Sequence, residues 1–321
     1  MKSNLIITGS TGVLGSSFKN KDFLKKNQKY NFVFLNSRIL DLRNLDKTLS
    51  FFLKIKPRYV IHLAAVSGGI GFSNQYQASL LRDNIYMAFN ILEASRKTNV
   101  KKLIMTLTTG MYPEKAKLPL VEESIHSGEP TKNNFGSSFG KRIIEPAIRA
   151  YREEYKLDVI GLVPSGIFGE NDNFNLDHAP MLPATINKIF NAKKNNLKKV
   201  EIWGSGKPLR EYTYSNDYRD IYMWALKNYS NNKIINISSG QEYSIKEIVK
   251  KICNILGYDF KNVFFNNQKD GIFKKTTCTK YLQSLGKFKF TDFDISLKKT
   301  IEWYINNQSK LNLDKVKLKK F

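Results

Sequence analysis

Cysteine is scarce in this chain of 321 residues, which contains only Cys253 and Cys278. Neither lies in a CxxC or Cys/His pattern, which argues against a disulfide framework and against a metal site. Long apolar runs are also missing, since no stretch approaches the roughly 18 residues of a membrane-spanning helix. The N-terminal segment MKSNLIITGSTG does not have the form of a signal peptide. We therefore expect a soluble, cytoplasmic protein with no membrane partner and no metal.

Acidic residues are few relative to basic ones. The chain has 28 Asp and Glu against 52 Lys and Arg, a formal net charge of +24. An excess of this size raises nucleic acid as a partner, but no recognition-helix pattern or aromatic RNA-binding motif accompanies it. Many cations fall in Lys/Asn runs, such as Lys193 to Lys199 and Lys310 to Lys320, which are typical of solvated surfaces and tails. We expect no nucleic-acid partner.

Short apolar stretches alternate with amphipathic stretches over the first half of the chain. Continuous apolar runs are typical of strands buried on both faces, and apolar residues at helical spacing are typical of covering helices. The predicted strands are Leu5 to Thr8, Asn31 to Leu35, Tyr59 to Ala65, Lys102 to Leu107 and Val159 to Val163, and the predicted helices are Leu45 to Lys54, Leu80 to Thr98 and Lys141 to Tyr155. This alternation predicts an α/β fold, a doubly wound parallel sheet covered on both faces.

The regular alternation is interrupted after Pro164, where glycine, asparagine and proline become frequent. The later predicted helices are Leu182 to Ala192, Asp217 to Tyr229, Ser244 to Leu256 and Ile295 to Asn307, with a strand at Lys233 to Ser238 and a candidate capping box at Ser244 and Glu247. We predict a dinucleotide-binding domain made of residues 1–164 plus 211–238. A smaller C-terminal substrate-binding domain would contain residues 165–210 plus 239–321.

Three glycines follow the first predicted strand with the spacing Gly9-x-x-Gly12-x-x-Gly15. Glycines at such a turn permit positive φ angles and let the backbone approach a pyrophosphate at the N-terminus of the next helix. A glycine triplet alone is weak evidence, but its place between the first strand and the first helix is the context that a dinucleotide site requires. The candidate cofactor-binding residues of this Rossmann-type turn are Gly9, Thr11, Gly12, Val13, Leu14 and Gly15.

The end of the second predicted strand indicates which nicotinamide cofactor is bound. An acidic residue there binds the ribose 2′-hydroxyl of NAD, whereas a basic residue accommodates the 2′-phosphate of NADP. The sequence reads Asn36-Ser37-Arg38, with no acid before Asp41. Arg38 therefore favours NADP(H) over NAD(H). The alternative is that Arg38 is one more surface arginine in a very basic chain.

Several motifs together resemble the extended short-chain dehydrogenase/reductases, which form the NAD-dependent epimerase/dehydratase family. These are the glycine turn at Gly9, VIHLAA at Val60 to Ala65, GGI at Gly68 to Ile70, MYP at Met111 to Pro113, GENDNF at Gly169 to Phe174, WGSGKPLREY at Trp203 to Tyr212 and DGIFKK at Asp270 to Lys275. Within the family, the chain most resembles the GDP-L-fucose synthases, over nearly its whole length. The resemblance implies a homodimer, paired through the helices predicted from Leu80 and from Lys141.

The same resemblance implies roles for further residues. It puts Asp41 at the adenine and Pro164 and Gly166 at the nicotinamide edge, and it adds Leu42, Leu63, Ala64 and Ala65 to the cofactor contacts. The positions that it implies for a GDP-linked sugar are Lys188, Trp203, Arg210 and Lys275. Cations opposite a diphosphate and an indole over a ring are chemically reasonable contacts. The alternative is that these residues are a structural tryptophan and surface cations.

The active-site positions depart from the family pattern. Relatives use a Ser or Thr hydroxyl, a Tyr phenol and a Lys four residues later. Thr108 takes the hydroxyl position and Lys141 the Lys position, but Ser137 stands where the tyrosine of YxxxK would be. The Cys and His that relatives use for 3,5-epimerisation fall on Gly110 and Pro180, neither of which can move a proton. His178 lies two residues from the expected place.

These departures predict an NADP(H)-dependent oxidoreductase that reduces the C4 keto group of a GDP-linked sugar without 3,5-epimerase activity. Its catalytic residues would be Thr108, Ser137 and Lys141, with the proton coming from Lys141, relayed through Ser137 or a water. Tyr112 is a second candidate donor. One alternative is a catalytically impaired protein that still binds NADP(H) and a nucleotide sugar. Another is a nucleotide-sugar dehydrogenase or epimerase of the same family.

Overall fold

The computed structural model of the chain describes residues 2–266, 270 and 272–311, without the side chains of residues 70 and 310. The C-terminal basic run therefore lies almost entirely outside the described residues. The strands are β1 Ser3–Ile7, β2 Tyr30–Phe34, β3 Tyr59–His62, β4 Lys102–Thr106, β5 Val159–Pro164, β6 Ile167–Phe168, β7 Val200–Ile202, β8 Leu209–Glu211, β9 Thr213–Tyr214, β10 Ile235–Ile237, β11 Glu242–Ser244 and β12 Val263–Phe265.

The α-helices cover the sheet and build the C-terminal part of the chain. They are α1 Val13–Ser17, α2 Lys21–Lys26, α3 Leu45–Ile55, α4 Ile70–Gln75, α5 Gln77–Lys97, α6 Phe135–Arg142, α7 Ile144–Tyr155, α8 Met181–Lys194, α9 Ser215–Asn228, α10 Ile245–Leu256, α11 Lys280–Leu285 and α12 Phe293–Asn307. The capping box predicted at Ser244 and Glu247 is present at the start of α10. Within the described residues, no helix has both the length and the hydrophobicity of a membrane span.

The central sheet has six strands in the order β10-β5-β4-β3-β1-β2. Every neighbouring pair in it is parallel. This arrangement confirms the predicted doubly wound α/β fold. The chain passes from β1 to β2 on one side and then returns to β3 on the other, so the winding direction reverses between β1 and β3. In sheets of this kind, ligands bind at the carboxyl ends of the strands beside such a reversal.

Alternate residues of the strands face opposite layers of helices. Ile6 packs into the core beneath α3, α5 and α7, whereas Leu5 and Ile7 pack on the other face with Tyr218 and Tyr222 of α9. A separate core lies in the C-terminal region, around α8, α10 and α12.

Two segments pack into the core of the domain other than the one predicted for them. Tyr214, in a segment predicted for the first domain, belongs to the C-terminal core. Leu282, in a segment predicted for the second, packs into the core of the sheet. Packing therefore crosses the predicted domain boundaries in both directions, and the boundaries stay a prediction.

Two predicted elements differ from the structure. Strand β3 stops at His62 instead of Ala65, because the Thr8 hydroxyl accepts hydrogen bonds from the backbone N–H groups of Leu63 and Ala64, at 3.0 and 3.1 Å. The single helix predicted over Lys141 to Tyr155 is also wrong. The chain forms α6 and then α7, since Pro146 has no N–H and its ring conflicts with the carbonyl four residues earlier. Lys141 consequently lies in the last turn of α6.

Candidate cofactor and substrate site

The glycine turn after β1 is shaped by close backbone contacts. Gly9 has a φ of +63°, and a Cβ there would lie 2.8 Å from the backbone N of Ala64. A Cβ on Gly15 would lie 2.2 Å from the carbonyl oxygen of Gly9. Gly12, the N-cap residue of α1, is exposed, and a Cβ there would meet only the Gly9 carbonyl oxygen, at 3.4 Å. Gly9 and Gly15 thus permit the packing of the turn, whereas Gly12 leaves its outer surface open.

We expect two substitutions in this turn to have different effects. Gly15→Ala forces Cβ into the Gly9 backbone and should destabilise the fold by about 1–3 kcal/mol. Gly12→Ala has room within the protein, so its unfolding midpoint should stay near that of the wild type while affinity for NADPH falls. Urea unfolding and NADPH titration of both variants measure the difference. An unchanged NADPH affinity in Gly12→Ala would contradict the assignment of this turn.

The other predicted cofactor residues differ in their surroundings. Thr11 is exposed and Val13 is partly exposed, whereas Leu14 and Leu42 are buried core residues. Leu63 and Ala64 contribute the backbone held by Thr8, and Ala65 is exposed.

Pro164 is the last residue of β5, at the carboxyl ends of the strands, where the glycine turn also lies. Gly166 has a φ of +35°, and a Cβ there would lie 1.8 Å from the carbonyl oxygen of Glu211. The backbone after β5 is therefore fixed by a close contact that only glycine permits.

Arg38 and Asp41 follow β2 but are engaged differently. The side chain of Arg38 is exposed. The Asp41 carboxylate accepts hydrogen bonds from the Arg43 guanidinium, from Nε and from Nη2, both at 2.9 Å. Arg43 also binds the fully buried Asp83 at 2.8 Å. Asp41 thus helps to fix the loop, while Arg38 extends into solvent as a cation that a phosphate could reach.

Helix α6 lies close to α5 because two glycines face it. A Cβ on Gly136 would lie 2.1 Å from the carbonyl oxygen of Gln77, and one on Gly140 would lie 3.2 Å from that of Leu81. With about 100° between successive helical residues, side chains one and two positions after Gly136 point away from α5. Ser137, Ser138 and Lys141 therefore share the opposite face, toward the carboxyl end of β4.

Lys141 is a buried cation beside the sheet. Its Nζ donates a hydrogen bond to the carbonyl oxygen of Thr106, the last residue of β4, at 2.9 Å. Burial lowers the pKa of the Lys141 ammonium to about 8. Ser137, one helical turn earlier, is partly exposed, and Thr108 follows β4, its hydroxyl accepting a hydrogen bond from the Gly110 N–H at 3.2 Å. Strand β4 and helix α6 thus bring the three predicted catalytic residues to the carboxyl end of β4.

A neutral histidine lies near this lysine. Burial, followed by the charge of Lys141, lowers the pKa of His62 to about 3. The Thr8 hydroxyl accepts from two backbone N–H groups, so it donates its own proton to His62 Nδ1, 3.0 Å away. His62 therefore carries its proton on Nε2. His62 lies within the VIHLAA motif, but no sequence pattern indicated that its side chain would be close to Lys141.

The structure argues against Tyr112 as a proton donor. Its ring is buried, and its hydroxyl donates a hydrogen bond to the side chain of Asn236 at 2.7 Å. Burial and the charge of Glu122 raise the pKa of Tyr112 far above its usual value. A phenol that is buried, engaged and this weakly acidic is a structural group.

The two positions at which the resemblance implies epimerase residues hold no acid or base. Gly110 lies in the short 3₁₀ helix after β4, and Pro180 is the N-cap residue of α8. His178 packs edge-on against Phe72, with the ring centroids 5.2 Å apart. Its backbone carbonyl accepts a hydrogen bond from the N–H of Gly69 at 3.0 Å. His178 thus joins the loop before α8 to the start of α4.

Arg210 and Lys275 form a pair of cations in the C-terminal region. Arg210 donates to the carbonyl oxygen of Ile272 at 2.9 Å and to that of Leu209 at 2.7 Å. Burial, with repulsion from Arg210 as a second cause, lowers the pKa of Lys275 to about 8. An anion bound beside the buried Lys275 and Arg210 would stabilise both cations.

Lys188 and Trp203 form a second pair. The Lys188 ammonium lies 5.1 Å from the centre of the Trp203 ring. Trp203 is 68% exposed, which is unusual for so large an apolar side chain. The loop after Trp203 is tied to the chain before Lys275 by Ser205, which donates to Asp270 from both its backbone N–H and its hydroxyl. An exposed indole beside a cation can stack on a planar ring of a ligand.

The substrate-side residues also approach the segment after β4. A small cavity of about 50 Å³ lies between Tyr112 and Thr131 on one side and Ile272 and Lys275 on the other. The described residues contain no group of three His, Cys, Asp or Glu side chains placed to hold a metal ion.

A doubly wound parallel sheet with this glycine turn between its first strand and first helix is the architecture of a Rossmann-type dinucleotide-binding protein. The chain belongs to the family described as NAD dependent epimerase/dehydratase, whose sequence model matches residues 5–238.

Named relatives cover nearly the whole chain. It is 34% identical to a GDP-L-fucose synthase of Dictyostelium discoideum, over 95% of this chain and 96% of that protein. A solved GDP-L-fucose synthetase of Naegleria fowleri bound to NADP has a TM-score of 0.89 and 32% identity, covering 96% of this chain and 94% of the other. A GDP-mannoheptose C4 reductase of Campylobacter jejuni with NADP bound has a TM-score of 0.85 and 30% identity, covering 95% and 98%.

Proposed function

We propose that the protein uses NADPH to reduce the C4 keto group of a GDP-linked sugar and does not epimerise C3 or C5. The relatives support the class, since their names describe synthases and C4 reductases of GDP-linked sugars and two of the solved structures hold NADP. The observation that carries the reaction is Lys141, a buried ammonium with a pKa near 8 at the carboxyl end of β4. No structural ion pair of the described residues accounts for it.

The three catalytic residues have distinct roles in this proposal. When bound, NADPH supplies a hydride to C4. The Thr108 hydroxyl donates a hydrogen bond to the keto oxygen and holds it in place. Lys141 supplies the proton that the resulting alkoxide takes up, relayed through the Ser137 hydroxyl one helical turn earlier. A lysine with a pKa near 8 is mostly protonated at neutral pH and so is available as the acid.

The same site supports the proposed lack of epimerisation. Removing a proton next to a carbonyl requires a base, and neither Gly110 nor Pro180 has a side chain that can accept one. His178 is held against Phe72 and the loop before α4. The proposed reaction therefore changes C4 and leaves the neighbouring carbons as they were.

The ligand contacts follow the distribution of charge. The glycine turn would receive the pyrophosphate of the cofactor, and Arg38 its 2′-phosphate, which favours NADPH over NADH. Asp41 is proposed near the adenine, with its carboxylate held by Arg43. Arg210 and Lys275 would bind the diphosphate of the sugar nucleotide.

The remaining contacts and the assembly are also part of the proposal. Lys188 and Trp203 would flank a ring of the sugar nucleotide. A homodimer paired through α5 and the α6–α7 segment remains our proposal, supported by Tyr86 and Ile143, which are 50% and 42% exposed on those helices.

The reaction is tested with purified protein, NADPH and a panel of GDP-linked 4-keto sugars, including GDP-4-keto-6-deoxymannose. We expect NADPH consumption, measured by its absorbance, and a C4 alcohol, identified by NMR. When the reaction is run in D2O, C3 and C5 should keep their protons, because epimerisation would exchange them with solvent. Deuterium at either carbon contradicts the proposed lack of epimerisation. Binding of both ligands without turnover identifies a catalytically impaired protein instead.

A further inference from the structure

Two carboxylates lie against the segment of the chain that carries Lys275. Glu211 is the last residue of β8 and Glu242 the first of β11, and the two residues are directly opposite each other in this antiparallel pair. Side chains in that arrangement share one face, where like charges repel. Glu211 is buried, and it accepts hydrogen bonds from the hydroxyl of Thr277 at 2.8 Å and from its backbone N–H at 3.4 Å. The segment after Lys275 is thus bound to one carboxylate of the pair.

The second carboxylate binds the residues immediately before and after Lys275. Glu242 Oε2 forms an ion pair with the Lys274 ammonium at 2.7 Å. Glu242 Oε1 accepts a hydrogen bond from the Thr276 hydroxyl. Each carboxylate oxygen therefore has its own partner, and the two partners are the side chains on either side of Lys275 in the sequence.

The Lys275 side chain has no such partner. Within the part of the chain that the structure describes, its ammonium makes no hydrogen bond and no ion pair. The charge of Arg210 repels it, and a lysine side chain is a flexible four-carbon stem. Repulsion favours conformations in which the two cations are farther apart. What restricts Lys275 is therefore the backbone that carries it, and Glu242 binds the neighbouring side chain on both sides.

We propose that Glu242 is a positioning residue for the diphosphate site. By binding Lys274 and Thr276, it keeps Lys275 close to Arg210, so that one diphosphate can contact both cations. Fixing a flexible group before the ligand arrives reduces the conformational entropy that binding costs. This inference rests on the proposed function, since it assumes that Lys275 binds the diphosphate of a GDP-linked sugar.

Titration of the protein with GDP, which has the diphosphate without the sugar, tests the role of Glu242. Glu242→Met keeps a side chain of similar length and removes its charge and its acceptor oxygens. Affinity for GDP should fall by about 3–10-fold, the cost of ordering one flexible side chain, while affinity for NADPH stays unchanged. Charge alone predicts the opposite sign, because loss of a carboxylate near an anion site strengthens anion binding. An unchanged or stronger affinity for GDP would therefore overturn the positioning role.

A second variant removes the same contact without changing any charge. Thr276→Val deletes the hydroxyl that Glu242 accepts from, and it should weaken GDP binding in the same direction. It serves in place of Glu242→Met if that variant does not fold. Backbone hydrogen bonds from Leu120 to Thr276 and from Leu209 to Phe273, both 2.8 Å, remain in each variant and hold the segment in the fold.

A double substitution distinguishes positioning from a general effect on the fold. Lys275→Met should weaken GDP binding by about 10–100-fold, since hydrogen bonds that involve charged groups are strong. If Glu242 acts through Lys275, adding Glu242→Met to that variant should cause no further loss. Losses that multiply in the double variant would contradict the proposal, because they would show that the two residues act independently.

Glu93→Met is the matched control. Like Glu242, Glu93 on α5 binds one cation and one hydroxyl, Arg96 at 2.8 Å and Tyr151 at 2.7 Å. This variant should leave GDP affinity unchanged. Unchanged GDP affinity in Lys275→Met would overturn the diphosphate contact of the proposed function, and this inference with it. The expected coupling in a protein that reduces no keto sugar would support the positioning role and overturn the proposed reaction alone.

Discussion

Lys141→Met should reduce kcat/KM for NADPH-dependent reduction by about 10²–10⁴, the range that a positioned general acid contributes. Methionine is unbranched and of similar length, so it fills the space beside Thr106 without a charge or a proton. The loss should appear mainly in kcat, since Arg210 and Lys275, the proposed diphosphate contacts, are unchanged. Initial rates at saturating and limiting sugar nucleotide separate the two parameters.

The same substitution should not destabilise the protein at neutral pH. Burial lowers the pKa of Lys141 from 10.5 to about 8, so between those pH values the unfolded chain binds a proton that the folded chain does not. The free energy of unfolding therefore rises with pH in that interval. The contribution of Lys141 to it is lowest below pH 8. The methionine variant lacks this dependence. Urea unfolding at about pH 7 should find it at least as stable as the wild type, with that advantage shrinking toward about pH 10.

The pH dependence of the wild-type rate checks the role of Lys141 independently. A general acid must be protonated to act, so kcat/KM should be level below pH 8 and should fall by about tenfold per pH unit above it. A rate that is unaffected by Lys141→Met, or that keeps rising well above pH 8, would rule out this lysine as the acid.

Lys102 provides a matched control on the adjacent strand β4. Its buried ammonium donates to the carbonyl oxygen of Tyr229 at 2.6 Å and lies 3.2 Å from Asp158. Lys102→Met breaks a buried ion pair and should therefore lower stability. Its reduction rate, measured on folded protein, should stay near that of the wild type. The two variants thus distinguish a lysine that stabilises the fold from a lysine that takes part in the reaction.

The sheet and the glycine turn could be predicted because their signals are local. Continuous apolar strands, the helical spacing between them and the Gly9 turn each occupy a few consecutive residues. The contact that shapes the turn is not local, since Gly9 meets Ala64, and the Thr8 hydroxyl ends β3 early. A sequence pattern does not reveal which strand lies against which turn.

The break between α6 and α7 did have a local signal. Pro146 lies four residues after Arg142, and a proline there disfavours a continuous helix. The approach of Asn134 and Ser138 to Gly110 had none, since these residues come together only in the folded chain. Arg210 and Lys275, likewise, could be grouped only by resemblance, since the hydrogen bonds between their segments, from Arg210 to Ile272 and from Ser205 to Asp270, form only in the folded chain.

Ser137→Tyr should raise the reduction rate by about 10–100-fold. A tyrosine phenol has an unperturbed pKa of about 10 and is a far stronger acid than a serine hydroxyl. A cation such as the Lys141 ammonium lowers the pKa of a phenol further, because it stabilises the phenolate. Position 137 lies one helical turn before Lys141 and is partly exposed, so the larger side chain adds bulk toward the open site and displaces no core residue.

Ser137→Phe separates acidity from size. It adds nearly the same volume without a hydroxyl, so it should bind NADPH as the tyrosine variant does and should reduce the keto sugar no faster than the wild type. An equal gain in both variants would mean that filling the site, and not proton donation, limits the wild-type rate. No gain in either, with GDP-mannose binding intact, would place the acid elsewhere. A gain in the tyrosine variant alone would show that the wild-type site supports reduction and that the missing phenol limits its rate.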